Sequence, residues 1–361
     1  MKKIRVNTQN MEDIKIIFQD SNVNFLIGSG LSAGYLSTLN TIEKDITEAN
    51  KLTDDSEKRA KLSQHYSTYF EDVIEKNLNI LPSITPPTAD RLKIESVLES
   101  YQFFFDGLRE LLFHRKSSIL NKQANVFTTN IDLFMEIALD DIGLEYNDGF
   151  IGRFDPLFSS SNFKKIYLQK SQHFDNESEI PSLNIIKMHG SLTWESTDDG
   201  SIGFTDRLDQ VVAVKDAKET GAFIKEYDKL CIVNPSKEKF KDTLLNQNYY
   251  DLLRIYSNEL ERENTSLFVM GFSFADEHIR EITIRVANAN PTLVIYIFSY
   301  DQDSTTDIDA LFKDTIIKNK NIVLILPDEE QNEAGEIKII PNCFDQINEK
   351  FITALLSKIN G

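Results

Sequence analysis

The sequence predicts an α/β fold in which helices cover both faces of a doubly wound, mostly parallel, Rossmann-like sheet. Short runs rich in Val, Ile, Leu and Phe recur along the chain. They are continuous rather than alternating, which is typical of strands buried on both faces. Stretches with helical periodicity separate these runs, as at residues 133–142, 249–260 and 279–286. Strands that alternate with helices indicate βαβ units and hence a parallel sheet.

The alternation of predicted strands and helices, and the stretches that interrupt it, predict how the rest of the chain is organised. The predicted strands occupy residues 23–27, 125–129, 183–188, 229–233, 266–271, 292–298 and 321–326. Residues 40–120 lack a strand pattern and carry two apolar helical stripes, which predicts a helical module inserted between the first two strands. The polar, weakly periodic residues 147–181 and 193–228 predict irregular insertions. Residues 301–361 should form the edge of the sheet and a covering helix, so residues 1–361 are expected to be a single domain.

Composition excludes several classes of protein. The chain has 361 residues and a net charge of −18, which argues against a surface that binds nucleic acid directly. Its apolar runs are far shorter than the roughly 20 residues of a membrane span. Two cysteines, Cys231 and Cys343, form neither a disulfide scaffold nor a Cys-based zinc site. We therefore expect a cytoplasmic protein with no bound metal and no contact with membranes or nucleic acid.

A glycine-rich loop follows the first predicted strand. Gly28-Ser29-Gly30 and Ser32 belong to a G-x-G-x-x-A-G pattern. Such glycines let the backbone approach a pyrophosphate, and the N-terminus of a following helix would add N–H donors and a positive dipole end. Many tight βα turns without a ligand look similar, so that alternative stays open. The acidic residue of an ordinary NAD-dependent dehydrogenase would fall in the helical module here, which argues against that class.

Polar residues also follow the second and third strands. Thr129 ends the predicted strand at 125–129, Asn130 and Asp132 follow it, and His189 follows the predicted strand at 183–188. Ligands of α/β proteins bind at this carboxyl edge of the sheet. The alternatives are that Thr129 and Asn130 cap a helix starting at residue 131, and that His189 is a structural histidine.

Small residues follow two later strands. Gly271 ends the predicted strand at 266–271, Ser273 follows it, and Ser299 follows the predicted strand at 292–298. These residue types suit backbone contact with a phosphate or a ribose. They are equally typical of ordinary βα turns.

Together, the motifs GSGLSAG, TTNID, KMHGS, VMGFSFADEH and IFSY resemble the NAD-binding domain of sirtuins, and more closely the bacterial sirtuin-like NAD hydrolases of antiphage defence systems. The resemblance spans residues 22–300 and implies NAD as the substrate. It implies a catalytic set of Asn130, His189 and Asp132, in which Asp132 either orients the nicotinamide carboxamide or merely caps a helix. It also implies NAD contacts by Gly28, Ser29, Gly30, Ser32, Thr129, Gly271, Ser273 and Ser299.

Departures from the sirtuin pattern favour hydrolysis of NAD over deacylation. The arginine-containing segment of deacylases is replaced by Tyr-Leu-Ser-Thr-Leu-Asn, and Cys231 is too isolated for a four-cysteine zinc ribbon. The resemblance thus implies release of nicotinamide and ADP-ribose. An NAD-dependent protein deacylase and a non-catalytic subunit that binds NAD or ADP-ribose are the alternatives. It further implies a homo-oligomer and a HerA-type ATPase as a partner.

Overall fold

A parallel sheet forms the centre of the computed structural model, which describes residues 1–38, 42–117, 119–173, 175–234, 247–313, 316–331 and 336–360. The strands of this sheet are β1 (Lys2–Ile4), β2 (Asn22–Ile27), β3 (Gln123–Thr128), β4 (Tyr146–Asn147), β9 (Ser182–Lys187), β12 (Thr265–Met270), β13 (Leu293–Phe298) and β14 (Ile322–Ile325). Within the described ranges it has eight strands, in the order β1-β14-β13-β12-β2-β3-β9-β4. Every neighbouring pair is parallel.

Smaller strands and the helices complete the fold. The other strands are β5 (Phe150–Ile151), β6 (Leu157–Phe158), β7 (Leu168–Lys170), β8 (Glu177–Glu179), β10 (Trp194–Ser196), β11 (Ile202–Phe204), β15 (Asp328–Gln331) and β16 (Ile337–Ile340). The helices are α1 (Thr8–Asp20), α2 (Ile42–Asn50), α3 (Asp55–Tyr69), α4 (Thr88–Phe113), α5 (Phe134–Ile142), α6 (Asp209–Thr220), α7 (Phe223–Tyr227), α8 (Gln247–Glu261), α9 (Glu277–Ala289), α10 (Gln302–Lys313), α11 (Phe344–Ile347) and α12 (Ala354–Asn360). A π-helical segment (Phe70–Ile74) continues α3, and another (Asn348–Thr353) joins α11 to α12.

The strand order makes the sheet doubly wound, which confirms the predicted fold class. After the edge strand β1, the chain enters the middle of the sheet at β2, builds β3, β4 and β9 on one side, and then returns to place β12, β13 and β14 on the other. The order reverses between β2 and β12. In open α/β sheets this switch point opens a crevice at the carboxyl ends of the strands.

Successive residues of each strand enter opposite faces of the sheet, which explains the continuous apolar runs. Phe25 lies in the core shared with α1 and α4, where its ring meets Phe104 edge to face at 5.4 Å. The adjacent Leu26 lies in the opposite core with Leu252 of α8 and Ile279 of α9. Both faces are therefore covered by helices, and the carboxyl edge is left for loops.

A third apolar cluster lies at that edge. It joins Tyr69, Phe70 and Val73, at the end of α3 and in its π-helical extension, to Leu133 and to residues of α6 and α7. The helices between β2 and β3 thus pack over the strand ends together with the insertion that follows β11.

The structure differs from the sequence expectation at several elements. The predicted strand at 229–233 is wrong: its residues turn after α7 and make a single bridge, from Ile232 to Gly190. The stretches expected to be irregular contain β4–β8, β10, β11 and two helices, since strands of two or three residues are too short to show a pattern. β1, rather than β14, is the edge strand. Residues 40 and 41 of the predicted helical module lie outside the described residues.

The helices do not include a membrane span. Across the described residues, none combines the length and the apolar character needed to cross a bilayer.

Candidate functional site

Two glycine-containing loops meet at the switch point. The amide of Gly30 donates to the carbonyl of Gly271 at 2.9 Å, and Gly271 has a φ of +62°, which favours glycine. A Cβ atom on Gly28 would stand 2.3 Å from the Gly271 carbonyl oxygen. The close approach of the loops after β2 and β12 therefore explains the glycines at these positions without any ligand. Their predicted contact with a pyrophosphate stays a prediction.

The helix expected directly after the glycine loop is absent, so that expectation was wrong. Ser29–Leu31 form a single 3-10 turn, followed by further turns up to Leu36. The chain leaves the sheet here to build α2–α4, and α4 provides the crossover packing on β2. A helix dipole thus does not contribute to anion binding at this loop.

A cleft of about 410 Å³, including the open space at its mouth, lies beside the glycine loop. It is lined by the predicted site residues Ser29, Ser32, Thr129, Asn130 and Asp132, together with Leu36, Ser37, Tyr69, Val73 and Ile131. Tyr69 and Val73 come from the helical segment between β2 and β3, which forms one wall. The structure thus brings residues from three separate stretches of sequence to one place.

Asn130 is the most unusual residue of this cleft. The residue is 6% exposed, and neither amide atom of its side chain makes a hydrogen bond of ordinary length and geometry, although the Tyr101 hydroxyl lies near the amide. The interpretation of Asn130 as a helix cap is wrong. α5 begins only at Phe134, and the Asn130 side chain makes no hydrogen bond to the backbone of this helix. An unsatisfied buried amide costs about 1–3 kcal/mol. Such a group at a cleft wall is a candidate for ligand contact.

Asp132 accepts a hydrogen bond at the start of α5, close to one of its two predicted roles, although the N-cap residue of the helix is Leu133. Its Oδ1 accepts a hydrogen bond from the amide of Phe134 at 3.2 Å, at the first residue of α5. Burial raises the pKa of Asp132, while the charge of Lys187 and the Phe134 amide oppose the rise. The capping contact engages one carboxylate oxygen, and its role toward a carboxamide stays a prediction.

Tyr101 connects the helical module to the cleft. It lies on α4, is fully buried, and its hydroxyl is 3.1 Å from the Oγ of Ser32. Burial and the nearby charge of Asp132 hold the pKa of Tyr101 well above its usual range, so the phenol stays neutral. The sequence showed Tyr101 only as part of an apolar stripe, because its hydroxyl carries no periodic signal.

His189 pairs with an aspartate. Its Nε2 lies 3.1 Å from the Oδ2 of Asp276, and both side chains are nearly buried. The other oxygen of Asp276 accepts hydrogen bonds from the amides of His278 and Ile279, and so caps α9. A carboxylate in this position fixes the orientation of an imidazole and stabilises its protonated form. Asp276 lies in the VMGFSFADEH motif, but the sequence pattern assigns it no role.

The Asn130 and His189 segments are neighbours. The amide of Met188 donates to Thr128 at 2.8 Å, and the amide of Leu192 donates to Ile131 at 3.2 Å. Gly190 has a φ of +77°, and a Cβ atom there would stand 2.1 Å from the Cys231 carbonyl oxygen. Glycine is therefore needed for the turn that follows His189.

The residues that line the cleft do not include His189, Gly28, Gly30, Gly271, Ser273 and Ser299. Ser273 is exposed on the loop after β12. Ser299 is fully buried, donates to the carbonyl of Ile325 at 3.0 Å and accepts from Thr305 at 2.8 Å. The hydroxyl of Ser299 thus serves the packing of β13 against β14, and its contact with the adenosine half stays a prediction.

Metal ligands do not gather in this region. In the described ranges, no three His, Cys, Asp or Glu side chains converge as they would around a metal ion. Cys231 and Cys343 are both free thiols.

Comparison with known protein families identifies a SIR2-like domain over residues 124–325, more than half of the chain. The match runs from β3 to β14 and includes Asn130, His189 and Asp276, whereas the glycine loop precedes it. A search of curated proteins finds no match.

Proposed function

Because the chain belongs to the family of SIR2-like domains, we propose that it is an NAD hydrolase. The reaction would cleave the N-glycosidic bond between nicotinamide and ribose and release nicotinamide and ADP-ribose. NAD is the substrate in this proposal, and the reaction calls for no metal ion.

Asn130 carries the proposal. It is a buried amide that makes no hydrogen bond of ordinary geometry, on the wall of a cleft at the carboxyl ends of β2 and β3. Folding leaves this donor and acceptor unsatisfied, and a bound ribose hydroxyl or water would satisfy both. The cleft lies at the carboxyl edge of the parallel sheet, where α/β proteins bind their ligands.

The leaving group needs no general acid from the protein. The nicotinamide ring is cationic in NAD and leaves without a proton, which creates an oxocarbenium-like centre at C1′. Catalysis therefore depends on holding the ribose and aiming a water at C1′. Asn130 would hold that water or a ribose hydroxyl.

His189 would supply the base. A neutral imidazole accepts a proton from a ribose hydroxyl or from the attacking water, and such catalysis typically contributes 10²–10⁴-fold. Asp276 would orient the ring and stabilise the imidazolium, because its Oδ2 lies 3.1 Å from Nε2. Asp132 would meet the carboxamide of nicotinamide.

The decisive experiment incubates the purified chain with NAD and measures nicotinamide and ADP-ribose by liquid chromatography. The wild type should yield the two products in equal amounts. Asn130→Ala and His189→Ala should each abolish the reaction while circular dichroism stays unchanged. Asn125→Ala is the matched control, because Asn125 is a partly buried asparagine on the same strand whose amide is hydrogen-bonded within the sheet.

Two other outcomes would replace the proposal. Turnover that requires an acylated lysine peptide would indicate a deacylase. Saturable NAD binding in calorimetry, with neither product formed, would indicate a non-catalytic binding subunit. Wild-type rates in both alanine variants would show that the site is elsewhere.

The biological setting of the proposal is depletion of NAD in antiphage defence. It comes from the resemblance of the motifs to defence-associated sirtuin-like hydrolases, as do a homo-oligomeric state and a HerA-type ATPase partner. Size-exclusion chromatography with light scattering tests the first of these, and co-purification with the neighbouring gene product tests the second. A monomer at micromolar concentration would contradict the homo-oligomer.

A further inference from the structure

Lys187 is a buried cation that the proposed mechanism does not use. It is the last residue of β9, and its side chain is 4% exposed. The chain has 57 acidic and 39 basic residues, and lysine is almost never fully buried unless it is paired. Its position, two residues before His189, calls for a reason.

Lys187 makes three contacts through its ammonium group. Its Nζ pairs with the Oε1 of Glu136 on α5 at 2.5 Å. The same Nζ donates to the backbone carbonyl of Asp132 at 2.5 Å and to the Oγ of Ser191 at 3.0 Å. An ammonium group has three donors, and these contacts use all of them.

The contacts join the two loops that carry the proposed catalytic residues. Asp132 belongs to the Asn130 loop (residues 129–133), and Ser191 belongs to the His189 loop (residues 188–192). One backbone hydrogen bond, from Leu192 to Ile131, connects the same two loops. Without Lys187, a carbonyl of one loop and a hydroxyl of the other would lose their common donor.

Stability alone is a weak reason for this arrangement. A buried ion pair can often be replaced by apolar residues of similar volume without loss of stability. Glu136 also leaves its Oε2 buried without a partner, which is unfavourable. The ion pair does, however, fix the Lys187 ammonium at a point where an apolar pair could make neither loop contact.

We propose that Lys187 is a positioning residue that holds the Asn130 loop and the His189 loop in one fixed arrangement. It does not touch the substrate. This inference rests on the proposed NAD hydrolysis, because its kinetic consequence is a loss of alignment between the two side chains.

The test replaces the ion pair as a unit. Lys187→Met combined with Glu136→Leu keeps the volume and removes both charges, so the variant should remain folded by circular dichroism. Its kcat for NAD hydrolysis should fall by about 10²-fold, the effect of a displacement of about 1 Å at a reacting centre, and its KM should change much less. The matched control is Lys358→Met with Glu12→Gln, an ion pair at 3.0 Å between α12 and α1, which should leave kcat unchanged.

Ser191→Ala decides the matter if the double variant does not fold. It keeps the ion pair and removes one loop contact, so kcat should fall by about tenfold. A kcat within twofold of the wild type, in the folded double variant or in Ser191→Ala, overturns the proposal.

Hydrogen exchange separates this proposal from the proposed function. In the double variant, amide protection should fall at residues 129–133 and 188–192 and stay unchanged in β13. Unchanged protection in both loops overturns the positioning role even if the enzyme is active. If the wild type leaves NAD intact, the proposed function fails while hydrogen exchange still decides whether Lys187 holds the loops.

Discussion

Three asparagines within the sheet and one just beyond it differ in their hydrogen bonding. Asn24, Asn125 and Asn184 lie side by side on β2, β3 and β9 and form a ladder. Asn125 donates to Asn24 at 2.8 Å, and Asn184 donates to Asn125 at 2.8 Å. Asn130 follows the same strand β3 only two residues beyond its end, and neither of its amide atoms is bonded.

The difference separates a structural role from a functional one. In the ladder every amide nitrogen has an acceptor, since Asn24 also donates to a carbonyl of β12, and of the three amide oxygens that of Asn184 lacks a donor. Polar groups buried in this way stabilise one strand register. At the carboxyl edge an equally buried amide is left unsatisfied, as expected where a ligand completes the hydrogen bonds.

Asn130→Ala should reduce NAD hydrolysis by at least about 10²-fold, as loss of a preorganised hydrogen-bonding group does. The free energy of unfolding should not fall, and is expected to rise by about 1 kcal/mol, because an unsatisfied buried amide is removed. Product release by chromatography and urea unfolding measure the two quantities. A loss of stability larger than 1 kcal/mol would mean that Asn130 is a structural residue like those of the ladder.

Asp276→Asn should reduce kcat by about 10²-fold, the lower end of what a general base contributes. The asparagine oxygen can still accept the hydrogen bonds that cap α9, so the free energy of unfolding should change little. The neutral amide, however, no longer gives His189 a negatively charged partner. Asp276→Ala is the comparison, because it also loses the cap and should unfold about 1 kcal/mol more easily. Wild-type kcat in Asp276→Asn would show that the carboxylate serves the helix alone.

Asn125→Ala should give the converse of Asn130→Ala. It leaves the Oδ1 of Asn24 without its donor, so the free energy of unfolding should fall by about 1–3 kcal/mol. The rate of NAD hydrolysis per folded molecule should equal that of the wild type. Urea unfolding and the nicotinamide assay test this pair of outcomes, and a loss of activity at full folding would extend the site into the sheet.

Asp132→Asn should show the smallest effect, a change in how the free energy of unfolding depends on pH. Burial raises the pKa of Asp132, so between the unfolded pKa of about 3.9 and the higher native pKa the native state binds more protons than the unfolded chain. Wild-type stability therefore falls as the pH rises through this window. The variant lacks this loss, and its gain in stability should be larger at pH 7 than at pH 4. Equal gains at both pH values in urea titrations would contradict the raised pKa.

Much of the fold could be predicted because strands buried on both faces carry a strong apolar signal. The predicted strands around Phe25, Val126, Ile185, Phe268 and Ile295 all form. The strand at residues 229–233 was predicted on the same signal and is wrong, because its apolar residues pack against the helices at the sheet edge. β1 and β4 are too short for any pattern to reveal them.

The candidate site was predicted in part. Asn130, Asp132, Ser29, Ser32 and Thr129 line one cleft, because each lies at or just beyond a strand end. Tyr101, Asp276 and Lys187 were missed as contributors. They lie on a helix, at a helix cap and inside a strand, and only their partners in space give them a role.

The sequence by itself determined the doubly wound fold, the family resemblance and the strand ends at which chemistry would occur, since apolar runs and the residues that follow them are local properties. The tertiary structure decided which polar groups are satisfied. It placed Asp276 beside His189, Lys187 between two loops and the end of α3 at the cleft, and it left the Asn130 amide without a hydrogen bond of ordinary geometry. Hydrogen-bond satisfaction depends on atoms far apart in the chain, so no local pattern could specify it.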